Sequence, residues 1–155
     1  MILNTEILHL VKGLDPVADA FSGTVYSDIV DMKDHREIIF VIYKGVGTTG
    51  TSTITVEASD DNAGSNVSAV PFWYRAITTG DTHGTLTAAT TAGFATTAGS
   101  SQLYIIGVTQ EQAISSGYRY VRLKAVEVVD SPVLGGILII GSQPVHATAH
   151  SSIID

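Results

Sequence analysis

Five histidines, fifteen acidic residues and no cysteine set the chemistry this chain could perform. Without a thiol there is no disulfide, no thiolate nucleophile and no thiolate metal ligand. His146 and His150 stand four apart, the spacing that places two imidazoles on one helix face beside a metal. Residues 144–150 carry no helical signal and no carboxylate, so a solvated tail is expected there. His9, His35 and His83 lie in separate segments and read as ordinary structural histidines. The acidic stretch 57–66 offers Asp60, Asp61 and Asn62 to a hard cation. Calcium asks for six to eight oxygens in an arranged loop, and the EF-hand spacing is absent, so a turn is expected. No G-x-S-x-G elbow presents a serine. Gly45, Gly47 and Gly50 follow an apolar run as a phosphate loop would. Their spacing fails, and a strand follows where a phosphate loop needs a helix. The expected tally is no catalytic residue, no cofactor and no metal.

One stretch is richer. In residues 118–124, Val121 and Leu123 alternate with Tyr118, Tyr120, Arg122 and Lys124. Aromatic and basic side chains on one strand face can stack bases and hold phosphates. They can also dock a protein, since Tyr and Arg are enriched at interfaces. A solvated face with snorkelling side chains is the third reading.

These residues must be positioned by strands. Residues 36–44 place Ile38, Phe40 and Ile42 on one face and Ile39, Val41 and Tyr43 on the other, the mark of a strand covered on both sides. Residues 51–58 alternate apolar with threonine, a half-exposed antiparallel strand. Residues 67–78 read as a strand that Pro71 forces to an edge or a bulge. Further strands are expected at 21–28, 84–90, 102–109, 118–128 and 133–140, with one helical turn at 110–116. Gly13 and Asp15-Pro16 leave the first twenty residues open between an arm, a short strand and a helical turn. The rest of 79–101 reads as a long loop of threonine, alanine and glycine, a contact surface or a disordered segment.

The whole is an all-β single domain: an antiparallel β-sandwich of jelly-roll or Greek-key type with extended terminal arms. The arms are residues 1–20 and 142–155, and the sandwich is 21–141. The expected core is Ile38, Phe40, Ile42, Ile54, Val56, Phe72, Tyr104, Ile106, Val121, Leu123, Leu138 and Ile140. A net charge of −7 disfavours tracking along a phosphate backbone, so no nucleic-acid partner is expected. No secretory signal is visible and the longest apolar run, 133–140, is too short to span a bilayer. Synthesis in the cytoplasm and no membrane partner are the expectations.

Two stretches carry a family likeness. Tyr118, Arg119, Tyr120, Val121, Arg122 and Leu123 are followed by Val133, Leu134, Gly135, Gly136, Ile137 and Leu138. Thr53 through Asp61 are followed by Pro71, Phe72, Trp73, Tyr74 and Arg75. Together, over residues 38–141, they resemble small proteins encoded among the head genes of tailed bacteriophages and prophages. Those are typically capsid decoration (cement) or accessory head proteins. The resemblance implies a non-enzymatic virion protein on the capsid surface, made in the host cytoplasm, with the major capsid protein as partner, and it supplies no catalytic residue. We expect such a protein to act as a symmetric homo-oligomer. Expected partner contacts are Ile2, Leu3, Phe94, Tyr118, Tyr120, Arg122, Ile153 and Ile154, drawn from the termini, the 79–101 loop and the Tyr120 face. Two other readings stand beside it. One is a minor tail or head-fibre protein. The other is a carbohydrate-binding β-sandwich using Trp73, Tyr74 or Tyr104 as a sugar platform.

Overall fold

A computed structural model describes residues 8–145 of the chain. The strands are β1 (His9–Val17), β2 (Thr24–Tyr26), β3 (Val30–Asp31), β4 (His35–Gly47), β5 (Thr51–Ser59) and β6 (Val67–Val70). They continue with β7 (Phe72–Ile77), β8 (Thr87–Ala89), β9 (Phe94–Ala95), β10 (Gln102–Thr109), β11 (Tyr120–Val129) and β12 (Val133–Pro144). One short helix, α1 (Gln110–Ile114), leaves β10 through a capping box in which Thr109 and Gln112 satisfy each other's backbone N–H.

Two antiparallel sheets face each other. The first runs β1-β12-β4-β10-β7-β8 and the second β2-β11-β5-β6, with β3 on β11 and β9 on β5. The order β1-β12-β4-β10 opposite β2-β11-β5-β6 is that of a jelly roll, with the β7–β8 pair added at the β10 edge. Pro71 sits between β6 in the second sheet and β7 in the first. The residue that cannot donate to a ladder is thus the corner where the chain changes sheets.

Alternation fills the space between the sheets. Ile38, Phe40, Ile42, Tyr104, Ile106 and Phe72 from the first sheet meet Ile54, Val56, Val121 and Leu123 from the second, all essentially inaccessible. Leu138 and Ile140, expected in this core, point the other way. Ile137 and Ile139 are buried instead, and Leu138 is 40% exposed. β12 is apolar on both faces, so hydrophobicity could not choose between registers one residue apart.

Within the expected N-terminal arm, His9 to Val17 is sheet: it pairs with β12 as an edge strand. β12 likewise runs on to Pro144, three residues past the expected end of the sandwich. The 79–101 segment is also more ordered than a free loop. Phe94 and Ala95 pair with Ile54 and Thr53. Thr96 and Ser52 exchange two bonds of 2.9 Å, and Ser101 N–H donates to the Gly45 carbonyl at 2.8 Å. Gly93, at φ +75°, lies so close to the Ile54 carbonyl that a Cβ there would collide with it.

Candidate functional site

The two outer sheet faces are opposite in character. On the second sheet, Arg122 and Lys124 of β11 lie beside Glu57 of β5. The Arg122 guanidinium donates through Nε and Nη2 to one Glu57 oxygen, at 3.0 and 2.9 Å, and Lys124 Nζ reaches the other at 3.2 Å. The Tyr26 ring lies 4.1 Å from the Arg122 guanidinium. Gly64, at φ +69°, packs the 60–66 turn against that guanidinium. Glu57 is only 6% exposed although it sits on an outer face. Both cations are therefore spent on a covered carboxylate and an aromatic ring, a structural clamp rather than an open phosphate cradle.

Tyr120 shares this face, and its hydroxyl accepts from Arg119, which also pairs with Asp31 at 2.9 Å. Tyr118 does not share it: it lies before β11 and packs against the core. Phe94 stacks on Tyr74, ring centres 3.9 Å apart and 2° from parallel, so it is committed to an aromatic cluster with Phe72 and Tyr104. Of the sugar platform imagined from the sequence, Tyr104 is 1% exposed and Tyr74 lies against Phe94; Trp73, 45% exposed, is the accessible member. Ile2, Leu3, Ile153 and Ile154, with His146 and His150, lie outside the described residues.

The acidic turn closes on itself. Asp61 Oδ1 accepts the N–H groups of Ala63 and Ser65, at 3.1 and 3.0 Å, and Asn66 donates to Asp60 at 2.8 Å. The Ser65 bond leads in holding the Asp61 carboxyl below its usual range. Among the described residues, no three of His, Asp and Glu gather as a metal site would require.

The first sheet's outer face is apolar. Its cross-strand rows can be read off the pairing. One runs Leu10, Ile140, Ile39, Gly107, Trp73; the next Lys12, Leu138, Val41, Ile105, Arg75; the third Gly136, Tyr43, Leu103, Ile77. The only charges on these rows, Lys12 and Arg75, stand at opposite edges. A polar row of Ser142, Glu37 and Thr109 bounds one end. β4 was expected to be covered on both sides, yet among the described residues the cover on this side is partial: the Leu14–Pro16 bend closes over Gly136 at one end, and Ile39 and Val41 are half-buried. Tyr43 is 61% exposed and Leu10 58%. Two hollows indent the face. One, of about 440 Å3, lies between the Leu14–Pro16 bend of β1 and Tyr43, with Gly45 and Gly136 among its lining. The other, of about 270 Å3, lies between Ile39 and Trp73 where Gly107 leaves a gap. Glycine at 136 is required, since a Cβ there would stand 2.9 Å from the Leu14 carbonyl.

Two further polar side chains are deeply buried. Lys44, 2% exposed, donates to the carbonyls of Thr97 and Gly50 and to Gln102, at 2.7, 3.3 and 3.2 Å. Burial lowers its pKa. It pins the end of the 79–101 segment to the β4–β5 hairpin. His35, also 2% exposed, has no hydrogen-bond partner at either ring nitrogen among the described residues, and the His9 ring stands edge-on 6.2 Å away.

Comparison with protein families, with curated proteins and with solved structures returned no match to this chain.

Proposed function

We propose that this chain is a non-enzymatic structural protein of a phage virion that binds the outside of the capsid and stabilises it. The observation that supports the reading is the apolar, partly open outer face of the first sheet, which suits a protein that works within an assembly, whether that face meets the shell or a second copy. Soluble proteins rarely leave such a face open unless a partner covers it. The conspicuous buried polar groups, Lys44, Glu57 and His35, engage the fold rather than a cleft. The family resemblance of residues 38–141 gives the assembly its identity. The mechanism is mass action: a protein that binds only the assembled shell adds its binding free energy to the shell's stability.

The test is co-sedimentation of purified protein with expanded shells that lack it, followed by quantification against the major capsid protein. Saturation at hundreds of copies per particle, with heat disruption of the shell moved to higher temperature, is expected. Saturation at a handful of copies would transfer the reading to a tail or head-fibre component. No sedimentation with shells would sink it.

A further inference from the structure

We propose that the outer face of the first sheet is where two copies of this chain associate, sheet face against sheet face. The size fits. Five strands about 4.8 Å apart, each about eight residues long at about 3.4 Å per residue, make a face of roughly 650 Å2. A standard interface takes about 800 Å2 from each partner. The composition fits as well. The three rows hold no charge between their edges, and lasting contacts between identical chains are more apolar than transient ones.

The relief is also suited to self-pairing. Tyr43 and Trp73 project beside hollows that glycines open. A two-fold contact needs projections and depressions on the same patch, because each copy must supply both. The rim carries both signs, Lys12 next to Asp15 and Arg75 near Glu37, so one copy's rim can pair with the other's. This inference uses no property of a capsid. Its test uses the full-length protein alone, so its failure and the failure of shell binding are separate outcomes.

Sedimentation velocity across a wide concentration range should give a dimer, or a higher oligomer built from it. Tyr43→Glu and Leu138→Lys, each on an exposed position of the face, should raise the dissociation constant by at least roughly 30-fold with unchanged circular dichroism. A second measurement needs no substitution. Zero-length cross-linking of mixed 14N- and 15N-labelled chains should join Lys12 of one copy to Asp15 or Glu37 of another. A wild-type chain that stays monomeric overturns the proposal, and so does an oligomer whose inter-copy links avoid Lys12.

Discussion

Glu57 shows how a charge survives burial in this fold. Its two oxygens are shared between Arg122 and Lys124, and Tyr26 covers the guanidinium. Removing one partner of such a group costs more than the pair itself contributes, because the other charge stays behind without compensation. Arg122→Ala should therefore lower stability by about 2 kcal/mol, measured by urea denaturation, whereas the exposed Lys12→Ala should change it by less than about 0.5 kcal/mol. A loss at Arg122 no larger than at Lys12 would mean the clamp is ornamental. His35 is the contrary case, a buried ring whose nitrogens find no hydrogen-bond partner among the described residues. Burial first, then the neighbouring His9, lowers its pKa from 6.5; the Ser142 backbone and Asp34 oppose this without reversing it. The folded state thus disfavours the protonated ring. The stability linked to His35 is fully present above pH 6.5 and is lost as pH falls from there through the lowered folded value. Denaturation midpoints should fall on acidification over that window, and His35→Phe should flatten the slope. Because the variant also removes two unpaired buried nitrogens, it should be more stable at neutral pH by about 1 kcal/mol. An unchanged slope would assign the acid sensitivity elsewhere.

β12 separates what a strand's sequence can announce from what it cannot. Ile137 and Ile139 face the core while Leu138 and Ile140 face outward, yet the four are alike in hydrophobicity. Ile139→Ala should cost about 2–4 kcal/mol and Leu138→Ala under about 1 kcal/mol in the isolated protein, read from thermal or urea unfolding. Equal losses would place both in packed surroundings. In β5, by contrast, threonine alternates with Ile54 and Val56, and the inward face was legible because only one face is apolar. β1 was not, because its glycine, its proline and the irregular pairing after Lys12 hide the alternation, and it is held by β12 from the far end of the chain. Lys44 was illegible for a similar reason. Its acceptors include Thr97 and Gln102, 53 and 58 residues away, and no pattern near residue 44 reports them. The outer-face clamp was half legible: the Tyr120, Arg122 and Lys124 alternation was visible, but Glu57 as its counter-ion is a pairing across the β5–β11 ladder.

At the scale of the molecule the two ends of the described chain converge. His9 pairs with Gly141, and Val145 N–H donates to the Asp34 carbonyl, so both ends of the described chain lie at one end of the sandwich. Residues 1–7 and 146–155 carry Ile2, Leu3, Ile153 and Ile154, whose burial against a partner would be worth roughly 1.5–3 kcal/mol for each side chain fully covered. Deletion of residues 1–7 or 146–155 should therefore weaken shell binding while the sandwich stays folded, since neither removes a residue of any described strand. A cut at residue 12 would be a poor test, because it takes away four residues of β1 and the contacts of Val11 with the core. Shell co-sedimentation reports binding, and circular dichroism with the unfolding midpoint reports the fold. Loss of binding with an unchanged midpoint is the expected pair of results. Normal binding by both deletions would move shell contact onto the sandwich itself. The half-buried Tyr120 side of the second sheet would then be the leading surface, since self-association would occupy the first sheet's face. A large fall in the midpoint on either deletion would instead make that segment part of the fold, covering apolar surface such as Leu10 within its own chain.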